Sequence, residues 1–390
     1  MQTNSINLQL NQKELWRPVF WSLLLANLFA SMAMYMLLPI EPIIIGKHFH
    51  ENLAISGTVV SIFGIGIFTW GPMANYWLDH RSRKSICLRA LLFMLLFTLC
   101  TLFDLPEWIY IVARFCQGSA FGLFQIAMGS TLLIDLTQTS LRTRAAHVYY
   151  WFSRFALSLG PASALCLSLF YETRYVIWFS ALCSFIAFLL VLQLKVPFRT
   201  PLDPKKFSTD RFWMKKAKPL FFTMLPTTFA MGLLLFMNLS ITFFTMMMTG
   251  MLIALLLHEL FFKGKDSLTE VLLGSTLLAL VFCGNLTEAF SIDHMLSGIL
   301  AGAGISLITS RYLLYFIRVA EHCERGTGQS TYMLGWECGI YLGVMACSTL
   351  VLKYHKIADY LGLCSIIFSA VAYLRYTHQW FLKNCRKDIK

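Results

Sequence analysis

Four ionisable residues stand inside long apolar runs: Arg114, Arg154, Arg311 and Glu337. A charge near the middle of a bilayer helix costs at least about 2.5 to 3.5 kcal/mol, so each must face protein or water and find a partner, and function is the default reading. Arg154 and Glu337 hold the most chemistry. A shift of 183 residues superposes Arg142 on Arg325, Tyr149 on Tyr332, Leu159 on Leu342 and Gly160 on Gly343, and the same shift places Arg154 on Glu337. If both point inward, these opposite charges face each other across a central cavity as a salt bridge or a substrate site; otherwise each pairs with partners of its own. Glu337 is the leading candidate for a coupling proton, because desolvation and a neighbouring guanidinium pull a buried carboxyl in opposite directions. Arg311 follows Gly298, Gly302 and Gly304 and either binds an anionic solute group or neutralises an acid. Tyr149, Tyr150, Trp151, Tyr332 and Trp336 lie close to these charges and either line an amphipathic-ligand pocket or anchor helices at the interface. Asp135 and Glu41 read as solvated interfacial carboxylates.

Other chemistries fail on spacing. His258-Glu259 begins the zinc pattern His-Glu-x-x-His, but Phe262 takes the second histidine's place. The eleven cysteines form no Cys-x-x-Cys pair and nearly all lie in apolar runs, as small buried hydrophobes would. No metal, cofactor or ATP-binding loop is expected, and the chain does not read as an enzyme. The alternative to solute movement is a membrane-embedded enzyme or a lipid-handling protein without gradient-driven transport.

The elements that position these residues must be membrane helices. Hydrophobic residues make up 57% of the 390, charged ones 13%, and the mean hydropathy is +0.64, outside the soluble range. Apolar stretches long enough to cross roughly 30 Å of hydrocarbon recur throughout. About twelve spans are expected, at Arg17–Ile45, Ala54–Leu78, Ser85–Phe103, Glu107–Leu136, Arg142–Phe170, Arg174–Val196, Pro219–Met237, Ile241–Phe262, Leu268–Leu286, Asp293–Ala320, Gly328–Leu352 and Ile357–Thr377. The break near Asn238–Thr242 requires a very tight turn. Pro197–Lys218, with Pro201 and Pro204, is the longest polar stretch and sits between six spans and six. The expected organisation is a six-helix bundle over 1–196, a linker over 197–218 and a second six-helix bundle over 219–390.

The net charge of +12 is a topology signal. With the N-terminus inside, Lys13, Arg17, Arg81, Arg83, Lys84, Arg142, Arg144, Lys263, Lys265, Arg325, Lys383, Arg386 and Lys387 fall on the cytoplasmic side, as do Arg199, Lys205, Lys206, Arg211, Lys215 and Lys216. Lys47, Arg174, Lys353 and Lys356 fall opposite. Bases scattered over loops beside lipid are not a nucleic-acid face. The first span is too long, and too far from the start, for a cleaved signal, so it is expected to be retained. The chain is expected to be a multi-pass monomer in the cell membrane, with both termini cytoplasmic and lipids around it.

Three segments carry a family resemblance. Asn75-Tyr-Trp-Leu-Asp-His-Arg-Ser-Arg-Lys84 resembles the signature loop of the major facilitator superfamily, with Asp79, Arg83 and Lys84 at matching positions and Asn75 and Ser82 in place of two glycines. Arg114-x-x-Gln117-Gly118 resembles that superfamily's fourth-span pattern, and Gly118 with Gly122 suits close helix approach. Gly160-Pro161 is similar to the core of an antiporter-branch motif and is expected to act as a hinge or seal, although Ala156 and Ala164 stand where glycines belong. The loop from His258 to Lys265 lacks the corresponding aspartate. The resemblance, strongest to drug:proton antiporters and sugar-efflux permeases, implies two pseudo-symmetric six-helix bundles, alternating access, a small-molecule substrate, proton coupling and efflux, with Asp79, Arg83 and Lys84 as a gating loop.

Overall fold

The computed structural model describes residues 15–40, 45, 53–103, 106–196, 205–262, 268–287, 294–350 and 355–385, all helix, turn and connecting segment with no strand among them. Thirteen α-helices of ten residues or more lie among the described residues. They are α1 (Pro18–Tyr35), α2 (Leu53–Thr69), α3 (Gly71–His80), α4 (Arg83–Cys100), α5 (Glu107–Ala127), α6 (Arg142–Phe170), α7 (Thr173–Gln193), α8 (Lys218–Met237), α9 (Ile241–Leu257), α10 (Leu268–Leu286), α11 (His294–Val319), α12 (Arg325–Leu350) and α13 (His355–Ala372). A widened π-type turn, Met128–Leu132, continues α5 into Leu133–Leu136. Nine helical segments among the described residues are long and apolar enough to cross a membrane. Their outward faces carry large apolar side chains such as Trp108, Leu182, Phe222, Leu256 and Phe368, as expected where lipid is the solvent.

The expected second span divides in two. Trp70 leaves the helix between Thr69 and Gly71, and Pro72, lacking a backbone donor, starts α3. The tight turn after α8 is present: Met237 ends one helix, Ile241 begins the next, and Asn238 N–H closes on Leu234 O at 3.1 Å. Glu41, Lys13, Lys47, Arg199, Lys263, Lys265, Lys353, Arg386 and Lys387 lie outside the described residues.

Packing falls into two sets with the same pattern. In the first, α1 packs on α6 and α7, α4 on α5 and α7, and α2 on α5. In the second, α8 packs on α12 and α13, α10 on α11 and α13, and α9 on α11. Replacing α1, α2, α4, α5, α6 and α7 by α8, α9, α10, α11, α12 and α13 turns one pattern into the other. The sets meet along two seams, α2 against α12 and α6 against α9, and this same exchange converts each seam into the other.

Glycine sets how closely these helices approach. A Cβ on Gly118 or Gly122 would lie 2.1 or 2.3 Å from the Phe63 or Ile67 carbonyl oxygen of α2, so α5 meets α2 backbone to backbone. On α12, Gly339 and Gly343 meet α8 in the same way, the latter 2.2 Å from Phe229 O. That contact turns Glu337, on the opposite side of α12, toward the first set. Gly343→Val should force α8 and α12 apart at a cost of about 1–3 kcal/mol. The thermal midpoint of the purified protein should fall by several degrees, whereas lipid-facing Leu182→Val should leave it in place; equal midpoints for both variants would contradict this packing.

Candidate functional site

Arg154 sits in the middle of α6, facing the second set. Its Nη1 donates to Ser310 Oγ of α11 at 2.7 Å, and its Nη2 to the Tyr332 hydroxyl of α12 at 3.1 Å. One helical turn earlier, Trp151 places its ring 4.9 Å from the guanidinium carbon, a cation–π contact. Glu337 lies on α12, facing the first set. Its Oε1 accepts the Tyr35 hydroxyl of α1 at 2.6 Å, and Trp336 Nε1 donates to that hydroxyl at 2.9 Å. Arg154 and Glu337 are both buried, and they form no ion pair with each other. Each charge is instead held by hydroxyl groups of the opposite set. Arg154 Nε and Glu337 Oε2 are buried with no hydrogen-bond partner, so both retain bonding capacity.

Polar side chains of α1, α5 and α6 form a network of their own in the first set. Asn27 Nδ2 donates to Tyr149 O at 3.0 Å, and Gln125 Nε2 reaches Asn27 Oδ1 and Ser31 Oγ, each at 3.1 Å. Tyr149, fully buried, directs its hydroxyl to Gln125 Oε1 at 3.5 Å. Tyr150 crosses to the second set, donating to Gln329 O at 3.3 Å and meeting the Tyr332 ring edge-on at 5.2 Å. Buried polar groups are costly unless hydrogen-bonded, so this network fixes α1, α5 and α6 in one rotation.

The other predicted residues separate into distinct places. Arg114 is buried rather than reaching out of the bilayer: its Nη1 donates to Gln117 Oε1, Gln117 Nε2 donates to Thr98 Oγ1 at 2.7 Å, and the guanidinium lies 4.9 Å from the Phe63 ring centroid. At the opposite end of α5, Arg83 pairs with Asp135 and lies 3.6 Å from Asp79, which also takes Arg211 Nη1 at 2.6 Å. Asp135 is thus a partly buried ion-pair partner and not the solvated carboxylate expected. Lys84 points elsewhere, donating to Leu192 O at the C-terminal end of α7 at 2.8 Å. α6 runs through Gly160 and Pro161 without a break, and Gly160 brings it against α1 near Met32 and Met36.

Arg311 neutralises an acid. Its Nε pairs with Glu270 of α10, and its Nη2 donates to Phe262 O at 2.6 Å. Glu270 is fully buried and also meets His258 Nδ1 at 2.8 Å. The His258 ring packs 5.0 Å from that of His147 on α6, across the α6–α9 seam. Glu270, Tyr35 and Ser310 escaped the sequence reading. Glu270 lies in the first turn of its helix and reads as interfacial; the available signal was that an arginine deep in α11 requires a counter-charge.

An all-helical, multi-pass membrane protein with two buried charges, Arg154 and Glu337, at the seam between two repeating helix sets has the architecture of a solute transporter. The family model of the Major Facilitator Superfamily matches residues 23–264, and the chain belongs to that family, one of transporters rather than enzymes. Among solved structures it is similar to a D-xylose–proton symporter (13% identity, TM-score 0.69, covering 96% of this chain and 99% of that one). It is also similar to a peptide transporter of the POT family (10%, 0.71, 94% and 98%) and to a human organic anion transporter (14%, 0.65, 92% and 98%). These identities establish the fold. A search of curated protein sequences gives no match.

Glu270→Ala leaves the Arg311 guanidinium buried without its counter-charge and should destabilise the protein by on the order of 3–5 kcal/mol. Removing both charges, as Glu270→Gln with Arg311→Gln, should restore most of that stability. Thermal unfolding of the detergent-solubilised variants tests this, and equal losses in the single and double variants would rule out the pairing.

Proposed function

We propose that this chain is a secondary transporter working by alternating access, in which six-helix bundles over 1–196 and 219–390, joined by 197–218, rock about the seam that holds Arg154 and Glu337. The observation that carries this reading is the crossed holding of the two charges: Arg154 of the first set by Ser310 and Tyr332, Glu337 of the second by Tyr35. Separating the sets at this level breaks the hydrogen bonds of both charges at once. Hydrogen bonds to charged groups contribute about 1.5–3 kcal/mol each, enough to favour the closed seam and small enough for a ligand or proton to replace.

The substrate is a small organic solute with an acceptor or anionic group for Arg154 and a body that packs against Tyr149, Tyr150, Trp151, Tyr332 and Trp336. Arg154 would turn its guanidinium from Ser310 and Tyr332 to the solute. Glu337 is the proton carrier: a proton on Oε2 removes the charge that the Tyr35 hydroxyl stabilises and frees α12 from α1. A transmembrane gradient, worth about 2.3 kcal/mol per charge per 100 mV, then drives the cycle. A proton-coupled neighbour of the same fold, the D-xylose–proton symporter, agrees with this reading. Asp79, Arg83 and Asp135, with Arg211, form the gate at one end, which the distribution of bases assigns to the cytoplasm. Gly160-Pro161, similar to the antiporter-branch motif, supports efflux from a plasma-membrane location, with Gly160 as the pivot of α6 on α1.

The test is transport of a compound panel in sealed proteoliposomes under a pH gradient of either sign. Glu337→Gln should insert and purify normally yet lose gradient-driven accumulation, and Arg154→Gln should lose binding of the solute. Undiminished, gradient-dependent transport by Glu337→Gln would remove the coupling role.

A further inference from the structure

A polar cavity, away from the Arg154–Glu337 level, opens at the Asp79 end of the seam. It has a volume of about 230 Å3, and four arginines line it: Arg83, Arg142, Arg211 and Arg325. They come from α4, α6, the connecting segment and α12, so both helix sets and the chain between them contribute. Two carboxylates accompany them, Asp135 in the wall and Asp79 behind Arg211. Among these groups, guanidinium side chains outnumber carboxylates four to two.

Arg211 is built into this place. Its backbone adopts φ 59°, a left-handed conformation that a residue with a side chain rarely takes. The strained turn is held from both sets. Arg211 N–H donates to Thr327 Oγ1 at 2.9 Å, Met214 N–H to Thr331 Oγ1 at 2.8 Å, and Ser208 N–H to Pro72 O at 3.0 Å. Burial draws its basicity below the ordinary arginine range; Asp79 opposes this and nearby Arg83 adds to it. Arg142, whose Nε donates to Ile134 O at 3.2 Å, and Arg325 bring further guanidinium groups from opposite sides of the seam.

We propose that this cavity is a binding site for a phosphate group, and that its occupant clamps the two helix sets together at this end. Planar guanidinium forks bind the oxygens of phosphate in pairs, and an anion suits a cavity whose lining arginines outnumber its carboxylates. The volume suits a phosphate or diphosphate group rather than a whole nucleotide. Because the arginines belong to both sets, separating the sets dismantles the site, so the ligand favours the conformation closed at this end. The same chemistry is available from soluble phosphates and from phosphorylated lipid headgroups, and the position at the end of the helices admits either source.

Cys323 lines the cavity and is exposed, so its alkylation reports occupancy directly. The full-length protein in phosphatidylcholine nanodiscs is treated with a maleimide, and Cys323 modification is followed by peptide mass spectrometry. One arm adds inorganic pyrophosphate, with chloride at matched ionic strength as control; the other incorporates phosphatidylinositol phosphate, with phosphatidylserine as control. At ten times its half-saturating concentration, the phosphate ligand should slow modification about tenfold. Protection in the first arm supports a soluble ligand and protection in the second a lipid one. Either should disappear in Arg142→Gln with Arg325→Gln and persist in Arg174→Gln. Protection by chloride or phosphatidylserine equal to that by the phosphate probes, protection retained in the double variant, or protection in neither arm would overturn the proposal. The comparison of anions on the unaltered protein decides the matter even if the double variant fails to fold.

Discussion

The structure turns on the cost of placing charge in hydrocarbon. Arg114, Arg154, Glu270, Arg311 and Glu337 all lie in helices that cross or enter the apolar layer, and all are buried against protein. Hydrocarbon offers a charge no compensating hydrogen bonds, so each of these residues constrains the rotation of its helix. Arg311 and Glu270 bind α11 to α10, and Arg114 secures α5 through Gln117 and Thr98. Arg154 and Glu337 differ from these. Their partners lie across the seam, so the same energetic requirement that keeps charge away from lipid also holds the two helix sets together.

The repeat conserves places for charge while exchanging signs. Arg154 on α6 corresponds to Glu337 on α12. In the first set, a cation at the start of α4 pairs with an acid at the end of α5; in the second, an acid at the start of α10 pairs with a cation on α11. Within each set the partners are opposite charges, and these pairs are costly to break. Across the seam the partners of Arg154 and Glu337 are hydroxyls, whose bonds exchange at smaller cost. Strong pairing inside each set and weaker pairing between them is the mechanical distribution expected of two stiff bodies with a mobile boundary.

Much of this was legible in the residues. Helix boundaries follow from apolar length and from charged or turn-forming punctuation, so Glu107–Leu136, Arg142–Phe170 and Leu268–Leu286 coincide with the expected spans. On α12, Gly339 and Gly343 face α8, and Glu337 projects from the opposite side of that helix. Direct opposition of Arg154 and Glu337 did not follow, since charge and repeat position say nothing of a tyrosine or serine on a third helix. Tyr35 and Ser310 are unremarkable in apolar sequence and acquire meaning only through the seam. Asp135 was misjudged and Glu270 passed over for a related reason. Nearness to a helix end suggests solvent, but a neighbouring arginine and the covering chain exclude it.

If the two sets move as bodies about the Arg154–Glu337 level, distances across the seam change in opposite directions at its two ends. Spin labels on Arg144 and Glu259 span the seam at the Asp79 end, and labels on Glu172 and Leu239 span it at the other. Pulsed electron resonance in nanodiscs, before and after a change of pH or addition of a transported solute, should show one distance lengthening as the other shortens. Distances that stay fixed, or that lengthen together, would contradict a rocking seam.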